Sequence, residues 1–177
     1  MLMTKRMKII GYTIAGVLLF LALLFLAFSL SFRRPCRKTV QQYALDPALA
    51  FSVMKAESGF SEDAVSNAGA VGLMQLMPST AQFVCERNQI SFEAERLRDG
   101  DYNVMLGCIY LNYLSSRFTD TKTTLAAYNA GEGVVSSWLK NTDYSEDGVH
   151  LKYIPYEETR NYIKKVLKYQ KIYAIFD

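Results

Sequence analysis

From Ile9 to Phe32 the chain runs 24 residues without a charge, and 19 of them are apolar. No soluble domain core is built from such a run alone. A helix of that length rises ~36 Å at ~1.5 Å per residue, enough to cross a ~30 Å hydrocarbon layer with some tilt. A cleaved secretory signal carries an apolar stretch of only ~7–15 residues, so residues 9–32 are read as an uncleaved transmembrane signal-anchor helix, although Ser29-Leu30-Ser31 offers a small-x-small cleavage site. Lys5, Arg6 and Lys8 precede the run and Arg33, Arg34, Arg37 and Lys38 follow it, so flanking charge alone does not orient it. The segments then fall as a cytoplasmic tail over 1–8, the anchor over 9–32, a basic juxtamembrane tether over 33–42 and one domain over 43–177.

The formal charge of +3 misleads about that domain. Every acidic residue lies after position 38, and residues 39–177 hold 13 Lys/Arg against 17 Asp/Glu, a net of −4. The basic excess sits beside the apolar run, where it can meet anionic head groups. Nucleic acid is a poor partner for such a domain. Five basic residues between Arg160 and Lys171 read as a solvated helix face. A single histidine and no CxxC spacing leave no basis for a zinc site, and no cofactor is implied. Cys85 and Cys108 fall at apolar positions and read as buried free thiols, with a bridge between them as the alternative in an oxidising compartment.

The domain reads as mainly α. Asp46-Pro47 is a cap followed by a first-turn proline, predicting a helix to about Ser58. Further helices are predicted over Pro78–Arg87, after Asp101 with Tyr102, Met105, Leu106, Ile109 and Tyr113 on one face, over Thr121–Ala130 with Gly131 as terminator, and over Val134–Lys140. Residues 141–153 read as a polar loop. Pro155 opens a last helix with Tyr162, Val166, Tyr169, Tyr173 and Phe176 on one face.

Glu57 is the chemically suggestive residue. It closes an otherwise apolar helix, where the partial negative charge of the helix end opposes a second negative charge. Burial would raise its pKa further, and carboxyls tuned to ~6–7 act as general acids. Other fragments carry decoys. Ser137-Trp138-Leu139-Lys140 has the Ser-x-x-Lys of penicillin-binding proteins but no Lys-Thr-Gly. Asp99-Gly100-Asp101 is too short for a calcium loop and reads as a helix cap. His150 lies in a polar loop with no nucleophile beside it.

The ordered fragments Glu57-Ser58-Gly59-Phe60, Ala64-x-Ser66, Gly69-Ala70-Val71-Gly72-Leu73-Met74-Gln75 and Met77-Pro78-Ser79-Thr80-Ala81 resemble the signature of the soluble lytic transglycosylase family, lysozyme-like enzymes that cleave peptidoglycan. Ala127-Tyr128-Asn129-Ala130-Gly131 and Ile154-Pro155 followed by Glu158-Thr159-Arg160-Asn161-Tyr162 resemble that family's two later motifs. The resemblance spans roughly 43–173. It implies a lysozyme-like fold of the α+β class. It also implies Glu57 as catalytic acid/base, Ser66 bonding the reacting sugar, Gln75 and Met77 lining the groove, and Tyr128 aiming its hydroxyl near Glu57. Asn129 would hold that wall, Glu158 would bind a neighbouring sugar, and Tyr162 would pack beneath. Ser58, Gly59, Gly72 and Gly131 have the simpler reading of caps and turns.

The implied substrate is the glycan strand of peptidoglycan, cut between N-acetylmuramic acid and N-acetylglucosamine to leave 1,6-anhydro ends. That reaction needs one carboxyl, whereas hydrolases of the paired type need a second one ~5–9.5 Å away. Glu62 and Asp63 look too solvated to be it. A water-using muramidase and a non-catalytic peptidoglycan-binding scaffold stand as alternatives. Partners in cell-wall or secretion machinery, and a role in turnover, division, sporulation or secretion, are left open at this level.

Overall fold

The computed structural model describes the backbone of residues 2–31 and 34–175, and the side chains of 10–26 and 34–175. Two compact units result, residues 1–34 and 35–177. The first contains one helix, α1 (Leu2–Ser31). Its described side chains, 10–26, are all exposed, including Ile14, Leu18, Phe20, Leu21 and Phe25, so nothing in the unit covers its apolar surface. Among the described residues no helix is long and apolar enough to cross a membrane. The 9–32 anchor and its flanks at Lys5, Arg6, Lys8, Arg33 and Ser29-Leu30-Ser31 extend beyond the side chains described.

The second unit is helical: α2 (Arg37–Tyr43), α3 (Pro47–Glu57), α4 (Pro78–Arg87), a 3-10 turn (Ala94–Arg98), α5 (Gly100–Arg117), α6 (Thr121–Ala130), α7 (Glu132–Leu139) and α8 (Glu157–Tyr173). Helix α3 lies at its centre. Asp46 caps it by accepting from the Leu49 amide at 2.9 Å, Pro47 occupies its first turn, and residues 48–54 and Ala56 are buried on every side. A helix buried all round must be largely apolar, and the one polar side chain in the 48–54 stretch, Ser52, donates to Ala48 O at 2.6 Å. Its most extensive partner is α8, where Tyr173 meets Phe51 with ring centroids 5.6 Å apart. A second cluster joins Leu76, Val84, Cys85, Leu97, Tyr102 and Leu106 beneath α4 and α5.

Several expectations need correction. Residues 37–42, assigned above to the tether, form α2 together with Tyr43. Val40 is fully buried, Thr39 hydrogen-bonds Asp101, and Asn112 of α5 accepts from Leu45 N and donates to Tyr43 O, so the segment is fastened to the domain. Helix α5 starts one turn-position earlier than Asp101, because Asp99 is the cap and accepts from Tyr102 N at 3.1 Å. It is also buried over more than one face: Asn103, Val104, Gly107, Cys108, Leu111 and Leu114 are inside, while Met105, Ile109 and Tyr113 are half-buried.

Helix α7 begins at Glu132, leaving Gly131 (φ 96°) as the sole residue between α6 and α7. Helix α8 begins at Glu157 rather than Pro155. The Arg160 guanidinium donates to the carbonyls of Ile154 (2.5 Å) and Pro155 (2.9 Å) and holds that stretch extended, and Glu157 and Glu158 then occupy the positive end of the helix. Phe176 lies outside the described residues. The β part of the expected α+β class is reduced to two isolated antiparallel bridges, Val65–Val71 and Val71–Leu76; no strand occurs among the described residues. The cysteines are free, with Cys85 and Cys108 fully buried.

Candidate active site

The loop from Ser58 to Met77 has no regular secondary structure, yet it is among the most constrained parts of the chain. Ser58 caps α3 and donates to Leu73 O at 2.8 Å, while its hydroxyl accepts from Phe60 N at 3.1 Å. The Gln75 amide donates to Ala64 O (3.0 Å) and Gly72 O (2.9 Å). Ser66 closes a tight turn, its hydroxyl accepting from Ala70 N at 3.0 Å. Leu73 and Met74 are buried without exposure, which anchors the loop in the core. Asn103 of α5 is the hub beneath. It accepts from Met74 N (2.8 Å) and donates to Val71 O and Leu97 O (both 2.9 Å). Gly72 (φ 81°) lies directly on that amide, and a Cβ there would come within 2.5 Å of Leu97 O.

Glu57 is the last residue of α3 and is half-buried. Loss of solvent pushes its carboxyl up from 4.5 to about 7. The Tyr162 hydroxyl and the Lys165 ammonium act in the opposite direction, and the Glu158 carboxylate adds to the rise. Tyr162 Oη is buried and reaches no partner in good hydrogen-bond geometry, so its help to the Glu57 carboxylate is incomplete. Lys165 donates to Ala56 O at 2.7 Å, placing a cation at the C-terminal end of α3 where the helix is negative. The Tyr128 and Tyr162 hydroxyls are both held well above the usual phenol range, by burial first and then by the charge of Glu57, so both stay neutral donors.

The expected residues are distributed unevenly. Gln75, Met77, Tyr128 and Asn129 line one cavity of about 240 Å³ together with Thr80, Tyr110 and Gly131. Glu57, Ser66, Glu158 and Tyr162 do not line that cavity. Tyr128 donates its hydroxyl to Met74 O at 2.8 Å, and the Glu57 charge acts on it. Asn129 accepts from Thr159 Oγ1 at 2.7 Å, tying α6 to α8. Glu158 is exposed. Glu62 and Asp63 are exposed as well, Asp63 with an 89% accessible side chain 3.9 Å from Arg98, so neither is a buried second acid.

Sequence reasoning passed over Lys165, Asn103, Thr80 and Tyr110. Lys165 had a usable signal, since it follows Tyr162 by three positions and so shares its helix face. Asn103 had none, because a buried Asn in a helix looks like any polar residue until its partners are known. The decoys resolve locally. Trp138 is buried and meets Tyr156 edge-on at 5.0 Å, and Ser137 donates to Val134 O. His150 pairs with Asp147 at 2.6 Å on the surface, which raises the imidazole and lowers the carboxyl. Among the described residues no group of His, Cys, Asp and Glu could hold a metal.

The comparisons with known proteins fit this geometry. The family model described as the Transglycosylase SLT domain matches residues 34–150. The chain is 33% identical over 153 residues to the soluble lytic murein transglycosylase of Escherichia coli (strain K12), covering 84% of this chain and 24% of that protein. It is 31% identical over 160 residues to the membrane-bound lytic murein transglycosylase C of Haemophilus ducreyi, covering 77% of this chain and 44% of that protein. An inactive mutant of the lytic transglycosylase Slt from Pseudomonas aeruginosa superimposes with a TM-score of 0.69 at 35% identity, over 80% of this chain and 24% of that one. The chain thus spans a quarter to under a half of these relatives' length. The matched segment includes the α3 end, the Ser58–Met77 loop and the Tyr128 wall, and the chain belongs to the Transglycosylase SLT domain family.

Proposed function

We propose that this protein is a membrane-anchored peptidoglycan lytic transglycosylase in which Glu57 is the one catalytic carboxyl. The observation that carries the reading is the half-buried Glu57 with its pKa raised to about 7, while Glu62, Asp63 and Glu158 are exposed. An acid poised near neutrality can donate a proton and take one back within a single turnover.

Glu57 protonates the glycosidic oxygen between N-acetylmuramic acid and N-acetylglucosamine, and the bond breaks as positive charge builds on the anomeric carbon. The substrate's own N-acetyl group stabilises that carbon, as in substrate-assisted glycosidases. The Glu57 carboxylate then removes the proton from the 6-hydroxyl of the same muramic acid, and that oxygen closes a 1,6-anhydro ring. The attacking group is internal, so no water is consumed and no second carboxylate is needed. Gln75, Met77, Tyr128 and Asn129 form the groove wall, Ser66 presents its hydroxyl proton to the sugar, Glu158 serves a neighbouring subsite, and Tyr162 supports the acid from beneath.

The anchor reading rests on the 24-residue uncharged run, on the uncovered apolar side chains of α1 and on likeness to a relative named as membrane-bound. With peptidoglycan outside, the N-terminus is cytoplasmic and residues 35–177 are extracytoplasmic. The domain follows the uncharged run after only a few residues in sequence, so the substrate is glycan close to the membrane. Protease treatment of intact cells should remove the domain, and a domain that stays protected refutes this topology.

The chemistry is tested by digesting peptidoglycan in oxygen-18 water with the detergent-solubilised full chain. Muropeptides one water lighter than the reducing sugar and free of label support the anhydro reaction. Labelled reducing ends make the protein a hydrolase, and binding without products makes it a scaffold. The Glu57→Gln variant should cleave nothing while remaining folded.

A further inference from the structure

Behind α8 lies a cavity of about 280 Å³ that the glycan chemistry does not use. Leu151, Ile154, Ile163 and Leu167 give it an apolar floor. Positions 160, 163, 164 and 167 of α8 all face it. At helical spacing they fall on the side opposite Glu158, Tyr162 and Lys165, the residues that act on Glu57. An occupant of this cavity therefore leaves the acid's side of α8 free.

The rim is cationic. Lys122, Lys152, Arg160 and Lys164 surround the floor, and no acidic residue lines the cavity. Lys152 is paired, with Glu146 at 2.8 Å. Arg160 gives its guanidinium to the carbonyls of Ile154 and Pro155, which leaves its charge uncompensated. Lys122 and Lys164 form no ion pair among the described residues. Like charges gathered around one floor repel each other, and an anion relieves that repulsion. The edge is aromatic as well. The Tyr153 ring is 52% exposed and lies under the Arg160 guanidinium at 5.7 Å, and Val149 and Tyr156 of the same loop are exposed too. An aliphatic floor, exposed tyrosines and lysines whose stems can lie along apolar surface make up the composition of a surface at the boundary of acyl chains and head groups. An acidic peptide would answer the cations alone, whereas a lipid answers the cations and the floor with one molecule.

We propose that this groove binds an anionic phospholipid, with Lys122, Arg160 and Lys164 around its phosphate and the start of an acyl chain over Leu151 and Leu167. The proposal rests on the membrane-anchored reading, in which the domain follows the uncharged run after only a few residues and a bilayer is within its reach. The domain then holds the membrane at a second point, independent of the anchor.

The test places the full chain in nanodiscs of phosphatidylcholine alone or with phosphatidylglycerol. The rate at which Lys122 and Lys164 are acetylated by an N-hydroxysuccinimide ester is read by peptide mass. Phosphatidylglycerol should slow both amines about fivefold, the size of the attraction of one basic residue to an anionic surface. Leu167→Asp, which puts a negative charge into the floor, should remove the slowing. Lys122→Glu, an exposed change in the first turn of α6 where an acid suits the helix, should remove it at Lys164. Equal rates in the two kinds of disc, or slowing that survives both variants, overturn the lipid site. Polyglutamate or inorganic phosphate that shields the lysines in phosphatidylcholine discs as strongly as phosphatidylglycerol does also overturns it, in favour of an acidic protein or a free anion. A chain that enters neither disc overturns the anchor and the lipid site together, while anhydro products from that same chain would leave the Glu57 chemistry standing.

Discussion

Replacing Glu57 by Gln should make the protein more stable above neutral pH and leave its stability unchanged in acid. Below pH 4.5 the carboxyl is protonated in folded and unfolded chains alike. Between 4.5 and about 7 the unfolded chain releases the proton while the folded chain keeps it, because burial disfavours the charged form. The unfolded state then binds fewer protons, so stability falls as pH rises through this window and levels off above it. The rise from 4.5 to about 7 corresponds to ~3 kcal/mol at ~1.36 kcal/mol per pH unit. Glutamine fills nearly the same space and never ionises, so it avoids this loss. Urea unfolding of both proteins across the window should give coincident midpoints near pH 4 and a gap that grows to ~3 kcal/mol by about pH 8. In thermal melts the plateau is a shift of roughly 6–12 °C for a domain of this size. A gap independent of pH would mean that Glu57 ionises normally, and the argument from burial to general acid would fail with it.

Four further substitutions probe the surroundings. Tyr162→Phe removes a group that favours the Glu57 carboxylate, so the alkaline limb of the pH–rate profile should move upward; a limb that stays or moves down refutes the assignment. Because Tyr162 Oη makes no good hydrogen bond, the same variant should lose less than about 1 kcal/mol of stability in denaturant. Asn103→Ala strands the buried Met74 N–H and the Leu97 carbonyl, while Val71 O keeps its bond from Leu76 N, and should lose ~3 kcal/mol or more by urea unfolding; a loss below ~1 kcal/mol would mean the loop holds itself. Gly72→Ala and Gly131→Ala both force a side chain into positive φ, but only the first meets filled space. Melts should show Gly131→Ala near the ~1–2 kcal/mol cost of strain alone and Gly72→Ala well beyond it.

The helices were legible where the sequence carries punctuation. Asp46-Pro47, Met77-Pro78 and Asp120 with Gly131 mark ends that the structure keeps to the residue or nearly so. They were misplaced where a distant contact decides. Helix α2 has no apolar stripe beyond Val40 and forms because it docks on α5. Pro155 lies outside α8, where Arg160, a residue inside the helix, reaches back to the Ile154 and Pro155 carbonyls. The site followed the same division. Glu57 at the end of an apolar helix pointed to a raised pKa, but the burial that produces it comes from the folded domain. The acceptor of the Tyr128 hydroxyl could not be foreseen, because Met74 O is 54 positions away and meets it only once the loop is folded. Phe60 and Gln75 adopt positive φ without being glycine, a conformation sequence gives no warning of and the loop's own hydrogen bonds impose.

The packing of α8 on α3 also sets an order of events in biosynthesis. Glu57 ends α3, but the groups that tune it, Glu158, Tyr162 and Lys165, arrive on a helix that begins 100 residues later. A chain still on the ribosome therefore carries Glu57 as an ordinary solvated acid, ionised at neutral pH and unable to protonate a sugar. On the proposed mechanism the acid is complete only in the folded domain, where Glu57 is buried. Timing of this kind needs no propeptide and no inhibitor, since the burial that raises the acid comes with folding and outweighs the opposing pull of Tyr162 and Lys165.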